Sequence, residues 1–344
     1  MKQARVAAIS THLPESTLPN EDLERDYDNF PADQILEKTG IRERRIADPT
    51  QCASDLAYAA AGKLFAENPI KREEIDALIF CSQTPDYFLP TTACLLQDRL
   101  GLNTTIAAMD INLGCSGFVY SLGLAKGLIE TEQANSVLVL TADTYSKLLH
   151  REDRNVRSIF GDAAAATLVK AKESDTPLIG PFVYGTDGSG KSDLIVESGG
   201  FREQQKEPDR RPRLFMDGPK IFQFTMKSVP SLVGELLERS RLQLDDIDLF
   251  VFHQANQFML DHLRKKIGIP EDRFLVAMES CGNTVSASIP LALEDADRAG
   301  KLHSGMRLML VGFGVGFSWA ATLVQWESDC SGATQGAMEP CIRG

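Results

Sequence analysis

The seven cysteines (52, 81, 94, 115, 281, 330 and 341) form no C-x-x-C pair and no zinc spacing. That leaves neither a metal knuckle nor a disulfide framework to organise the chain. Odd in number and scattered, they read as reduced thiols of a cytoplasmic protein. Positive charge is also short, with 36 Lys and Arg against 48 Asp and Glu and a net charge of −12. That balance argues against a nucleic-acid binder at the level of the whole chain, though it allows a local basic patch. Long apolar runs are missing. The nearest, Leu308–Val324, carries Gly312, Gly314 and Gly316 in its middle. It reads as two strands around a glycine turn, not as a membrane span. The opening MKQARVAAISTHLP is broken by Ser10, Thr11 and His12 and lacks the apolar core of a signal peptide. What remains is ordinary globular usage, 43% hydrophobic and 24% charged over 344 residues. A chain of that size suggests about two domains or one duplicated core.

Internal repetition favours the duplicated core. IDALIFCSQ (75–83) and IDLFVFHQ (247–254) each run from an acidic start into an apolar stretch, the pattern of a strand buried on both faces. Each follows a helix-like segment, 55–68 and 231–241. AMDINLGCSG (108–117) is answered by AMESCGNTVS (277–286), and AATLV occurs at 165–169 and again at 320–324. Three matched features in one order indicate two diverged α/β units, expected to span 1–171 and 172–326. Alternating strands and helices predict layered α/β architecture. A charged, Pro-containing loop is expected at 200–213 and a tail at 327–344.

Cys115 sits between a predicted strand (105–111) and a predicted helix (117–129), flanked by Gly114 and Gly117. A helix N-terminus favours a thiolate, and small neighbours leave the sulfur room to attack. A buried structural cysteine is the alternative. His253 stands where the strand 247–252 ends, and strand C-termini are where open α/β sheets bind ligands. A satisfied strand-end histidine is equally open. Asn256 opens an amphipathic helix as its N-cap. Asn283 lies in a turn before a helix-like run interrupted by Pro290; a turn or cap is its plain reading. As the counterpart of the Cys115 loop, however, its loop would face the same cleft. His262 reads as part of a solvated face.

Two glycine motifs point elsewhere and fail. GTDGSGKS (185–192) matches the phosphate-loop pattern, but DLIVESGG follows where a helix is required, and Asp187 would set a carboxylate beside the phosphates. A hairpin turn is expected there. GFGVG (312–316) lacks the spacing and the helix of a dinucleotide site.

Cys115 in GCSGF, His253 in HQAN and Asn283 in GNT, in this order, resemble the β-ketoacyl-acyl-carrier-protein synthase III family. TGIRERRIA (39–47), FGDAAAA (160–166) and GFGVGFSW (312–319) extend the resemblance over about 1–326. It implies a thiolase-like duplicated five-layer α-β-α-β-α sandwich. It also implies a homodimeric cytoplasmic acyltransferase of fatty acid or related lipid biosynthesis. No metal or cofactor is implied, and coenzyme A or carrier-protein thioesters are the substrates. Cys115 would be acylated, and His253 and Asn283 would hold the enolate formed when a malonyl thioester loses CO₂. Backbone N–H groups of Cys115 and Val315, the latter a glycine in many members, would form the oxyanion hole. A family Trp and Arg that hold coenzyme A appear here as Gln34 and Lys38, while Arg154 matches a second such arginine. Leu89 matches a position reaching the partner's acyl pocket, Phe222 a pocket-lining position, and Asn256 a further substrate contact. Arg264, Lys265 and Lys266 match a carrier-protein docking patch. The main alternative is a thiolase-fold acyltransferase passing the acyl group to an alcohol or amine. A biosynthetic thiolase would need a second cysteine in the GFGVG turn, and a non-catalytic subunit would lack Cys115.

Overall fold

A computed structural model describes residues 1–202 and 213–327. Most of the expected charged loop, and the tail with Cys330 and Cys341, lie outside the described residues. The first part of the chain runs β1 (Lys2–His12), β2 (Ser16–Pro19), α1 (Asn20–Asp26), α2 (Ala32–Thr39), β3 (Glu43–Ile46), α3 (Ala53–Glu67) and β4 (Ala77–Cys81). It continues with α4 (Thr92–Arg99), β5 (Ala107–Ile111), α5 (Gly117–Glu130), β6 (Ser136–Asp143), α6 (Arg154–Arg157) and β7 (Ala163–Glu173). The remainder runs β8 (Ile179–Thr186), β9 (Leu194–Val196), β10 (Leu214–Met216), α7 (Gly218–Ser240) and β11 (Leu249–Phe252). It closes with α8 (Gln257–Ile267), α9 (Ser288–Arg298), β12 (Arg307–Gly314) and β13 (Ser318–Gln325).

The repeated sequence features become repeated topology. The five-stranded sheet has the order β1-β7-β6-β4-β5, and the four-stranded sheet has the order β8-β13-β12-β11. Both begin with two antiparallel pairings and continue with a parallel one. A parallel bridge from Phe250 to Phe274 marks where the second sheet would carry a fifth strand. The two AATLV segments fall on β7 and β13, which hold the same place in their sheets.

Alternation along the buried strands builds the layers. Ala77 and Ile79 of β4 and Leu249 and Val251 of β11 join one core together with α5 and α9. Leu78 and Phe80 face a second core with α3 and α4, and Phe250 and Phe252 face a third with α7 and α8. Two sheets thus enclose α5 and α9, and each carries helices on its outer face. Burying one such Phe or Leu contributes about 1.5–3 kcal/mol. Strands with both faces covered have no polar side, so the strand runs read as continuous apolar stretches.

Three local expectations are corrected. Pro290 does not interrupt a helix: it is the third residue of α9, where a backbone N–H has no intrahelical acceptor to lose. The helix expected at 231–241 begins much earlier, at Gly218, where Asp217 accepts the Lys220 N–H at 3.1 Å, and it carries Pro230 inside. GTDGSGKS is not a hairpin turn. β8 pairs with β13, while β9 pairs with β10, and a short 3-10 turn at Gly188–Gly190 separates them. Asp187 accepts the Ser189 N–H at 3.0 Å and shapes that turn.

Candidate active site

Cys115 lies in the tight turn between β5 and α5, closed by the Gly117 N–H donating to Gly114 O at 2.7 Å. Ser116 occupies the N-cap position but makes no capping bond; its hydroxyl meets that of Ser318 on β13. The β12–β13 glycine turn is laid directly on this loop. A Cβ at Gly314 would stand 2.8 Å from Cys115 Sγ, and one at Gly312 would stand 2.7 Å from Ser116 Cα. Only glycine permits that approach. It brings the Val315 N–H to the sulfur, which also accepts from its own backbone N–H.

The charge state of the thiol differs from the helix-terminus expectation. Burial, and then the Asp143 carboxylate, push the Cys115 thiol up to about 12, against the pull of the two N–H donors. Desolvation outweighs the helix end, so the resting group is a thiol.

His253 follows β11 directly and is buried, its backbone N–H donating to Val311 O on β12 at 2.8 Å. Its Nδ1 stands 2.7 Å from Ser288 Oγ at the start of α9, and the ring meets the edge of Phe313 at 5.6 Å between centroids. Burial drives its pKa down to about 3, so the ring is neutral. Asn283 Nδ2 lies 3.5 Å from His253 Nε2 and 3.4 Å from Ala255 O. The Asn283 backbone is tied to the FGD segment, its N–H donating to Ile159 O at 2.9 Å and its carbonyl accepting from Gly161 at 3.0 Å. The three residues therefore converge on one strand end: Cys115 touches 314–315, His253 touches Val311 and Phe313, and Asn283 touches His253. Sequence reasoning missed Ser288, which buttresses the imidazole; a serine at the first position of α9 gives no signal without the packing.

The remaining expected residues scatter. Gln34 and Lys38 are exposed, one turn apart on α2. Arg154 opens α6 with its guanidinium 5.2 Å from the centre of the Phe30 ring. Leu89 is 79% exposed beside Tyr87 and Phe88. Asn256 caps α8, its Oδ1 accepting the Met259 N–H at 2.9 Å, so only its amide N–H groups remain for any ligand. Phe222 packs on Phe258 and His262 between α7 and α8. Its helix neighbour Phe224 stacks on Phe317 at 4.1 Å. Arg264 is engaged with Glu271 at 3.0 Å, and Lys266 donates to Met226 O at 2.8 Å; Lys265 and Lys266 are exposed. Among the described residues, no cluster of three or more His, Cys, Asp or Glu could hold a metal ion, and no helix is long and apolar enough to cross a membrane.

Doubled strand order, five layers and a cysteine at the β5–α5 turn are the arrangement of thiolase-fold acyl-transferring enzymes. Residues 109–188 match the family model for 3-oxoacyl-[acyl-carrier-protein] synthase III, and residues 237–326 match the model for its C-terminal part. A β-ketoacyl-[acyl-carrier-protein] synthase III from Caldanaerobacter subterraneus is 38% identical over 328 residues, covering 94% of this chain and 98% of the relative. A crystal structure of a 3-oxoacyl-(acyl-carrier-protein) synthase III superposes with a TM-score of 0.91 at 52% identity, over 94% of this chain and 100% of the other. A 3-oxoacyl-(acyl-carrier-protein) synthase from Burkholderia xenovorans superposes with a TM-score of 0.86 at 39% identity, over 94% and 95%. The chain belongs to the 3-oxoacyl-[acyl-carrier-protein] synthase III family.

Proposed function

We propose that this protein catalyses the decarboxylative Claisen condensation of an acyl primer with a malonyl thioester. The primer would arrive on coenzyme A or on acyl carrier protein, and the malonyl group on either carrier. The observation that carries the reading is the pairing of two donor sets at one strand end. The N–H groups of Cys115 and Val315 converge on Cys115 Sγ at the end of β12, and the His253 Nε2–Asn283 Nδ2 pair, 3.5 Å apart, is anchored to the same strand end through Val311 and Phe313. In the first stage the Cys115 sulfur attacks the primer carbonyl. The two backbone N–H groups stabilise the oxyanion, and the thiol proton leaves with the departing carrier thiol. In the second stage the C–CO₂ bond of the malonyl thioester breaks and leaves an enolate. In the neutral tautomer in which Ser288 donates to Nδ1, His253 carries its proton on Nε2, and Nε2–H and the Asn283 amide would both donate to that enolate. The enolate carbon then forms the new C–C bond as the Cys115 sulfur leaves. A thiolate leaves where an alkoxide would not, which explains the residue type.

Substrate placement follows in the same reading. Arg154 with Phe30, and the exposed Gln34 and Lys38, would hold the carrier end of a coenzyme A thioester. Asn256 would contribute its amide N–H groups, and Phe222 would border the acyl path. Lys265 and Lys266, with Arg264 behind them, would meet an acidic carrier protein. The exposed Tyr87, Phe88 and Leu89, with Phe88 5.5 Å from Phe201, form the apolar edge expected of a homodimer in which Leu89 reaches the partner's acyl pocket. The halves 1–171 and 172–326 would each supply one side of the cleft, in a cytoplasmic enzyme that uses no metal.

The test is intact-protein mass after exposure to a panel of acyl-CoA and acyl-carrier-protein donors, beside Cys115→Ala. A gain of one acyl group, absent in the variant, supports the acyl-enzyme; malonyl carrier protein is then added. A β-ketoacyl product with release of CO₂ supports condensation. Acyl transfer to an added alcohol or amine without CO₂ overturns it in favour of simple acyl transfer.

A further inference from the structure

A buried carboxylate ties the first sheet to the turn that presents Asn283. Asp143 ends β6 and is fully buried. Its Oδ1 accepts from the Gln83 N–H at 2.8 Å and from Ser82 Oγ at 3.4 Å. Its Oδ2 accepts from Ser286 Oγ at 2.5 Å and from the Ser286 N–H at 3.2 Å. All four donors are uncharged. Two of them belong to Ser286, three residues beyond Asn283 and on the other half of the molecule. Burial raises the carboxyl to about 7, against the pull of these donors.

Between Asn283 and Ser286 the backbone is strained. Val285 is fully buried and has φ of 55°, the left-handed region that a β-branched side chain rarely enters. In the same turn the Val285 N–H donates to Asn283 Oδ1, 2.9 Å away. With the oxygen occupied, the amide Nδ2 is turned toward His253 Nε2. The orientation of Asn283 is thus tied to the N–H of a residue whose strained backbone would relax, and shift the turn, if nothing held it. A strained turn persists only where its surroundings fix it, and the two bonds from Ser286 to Asp143 are fixed points immediately downstream.

We propose that Asp143 is a positioning residue: through Ser286 it holds the left-handed Val285 turn, and so aims the Asn283 amide N–H at the developing enolate without touching substrate. This rests on the reading of Asn283 as an enolate donor. It assigns the carboxylate to the decarboxylation half of the reaction, even though its charge also bears on Cys115.

The test separates the two half-reactions in Asp143→Asn, Ser286→Ala, Val285→Gly, Asn283→Ala and the double variant Ser286→Ala with Val285→Gly. Acyl-enzyme formation is followed by intact mass, and decarboxylation by CO₂ release from malonyl carrier protein. Ser286→Ala keeps the Asp143 carboxyl group in place and serves where Asp143→Asn fails to fold. It is expected to slow CO₂ release on the order of tenfold or more while acylation stays within about twofold. Val285→Gly, which enters the left-handed region freely, is expected to restore most of the CO₂ release to Ser286→Ala. If Ser286→Ala slows both half-reactions equally, or if glycine at 285 restores nothing, the clamp is merely structural and the proposal is wrong. Asn283→Ala that still releases CO₂ at the wild-type rate would remove the reading of Asn283, and the proposal with it.

Discussion

Two strand-to-helix junctions reach the site, and they are built in opposite ways. At the β5–α5 junction the cap position is Ser116, whose hydroxyl turns away to Ser318 and leaves the helix start uncapped. At the β11–α8 junction Asn256 closes the helix start with its own side chain. The first junction keeps backbone N–H groups for chemistry, and one of them already reaches Cys115 Sγ. The second uses its capping group for stability and leaves the donor role to a side chain, His253. The donors therefore fall into a backbone set, the N–H of Cys115 from the first half and of Val315 from the second, and a side-chain set, the imidazole and Asn283. That division suits a two-stage reaction, in which the acyl oxyanion and the enolate form at different times and need separate donors.

The sharpest way to break the comparison is to disable each side alone. Cys115→Ala is expected to abolish acyl-enzyme and lower condensation on the order of 10⁴-fold or more, as loss of a nucleophile does. Asn283→Ala is expected to lower CO₂ release about 10²–10³-fold, the usual cost of one preorganised donor, while the acyl-enzyme still forms. Mass spectrometry reads the first and CO₂ release the second. Equal loss of both activities in Asn283→Ala would show that the two sides do not divide the labour.

A smaller change probes the backbone side. Gly314→Ala puts a methyl group 2.8 Å from Cys115 Sγ, and real Cβ contacts do not come that close. Displacing the sulfur or the Val315 N–H by about 1 Å should slow acylation about 10²-fold, with CO₂ release much less affected. Unchanged acylation kinetics would mean that the glycine turn is not what positions the donor.

The legibility of these two sides in the sequence differs for the same physical reason. Cys115, His253 and Asn283 stand at strand ends, and the doubled apolar runs around β4 and β11 locate those ends without reference to tertiary packing. Local rules also found the α8 cap and the glycine turn of β12–β13. What stayed hidden depends on contacts distant in the chain. Asp143 reads as the polar end of a buried strand until Ser286 is seen beside it, and Phe30 is unremarkable until Arg154 lies over it. The expected segment at 231–241 covered only the part of α7 beyond its internal Pro230, and Pro290 misled because a proline in the first turn of a helix costs no intrahelical bond. The thiolate expected at Cys115 failed because exposure, not helix position, decides that balance, and exposure cannot be read from a motif.

The two key groups are displaced in opposite directions toward their neutral forms, and only one is felt at ordinary pH. Cys115, at about 12, is a thiol in folded and unfolded chains alike below pH 8. His253, near 3 when folded, compares with 6.5 for a free imidazole. Between those values the unfolded chain binds a proton that the folded one refuses. The His253 contribution to stability therefore rises with pH through that window and is flat above it, while the raised Asp143 carboxyl contributes a slope of opposite sign between 3.8 and about 7. By pH 5 the buried imidazole should have cost the fold about 2 kcal/mol. Denaturant melts of the wild type and His253→Gln between pH 5 and 8 check this, the variant being expected to lose part of the acid slope. Coincident slopes would place the acid sensitivity in other groups.

The mildest test returns to the caps themselves. Asn256→Ala removes the oxygen that accepts the Met259 N–H and should cost about 1 kcal/mol of stability. The effect would be seen as a lower midpoint in urea at unchanged slope. Ser116→Ala takes no cap from α5, so its loss should be smaller and confined to the contact with Ser318. The acyl-enzyme is expected to form after both changes, because neither touches the N–H groups at Cys115, with Asn256→Ala weakening only the substrate binding to which its amide contributes. If Ser116→Ala proved the more destabilising of the two, the β5–α5 helix start would be held by its side chain after all, and the contrast between an open junction and a closed one would fail.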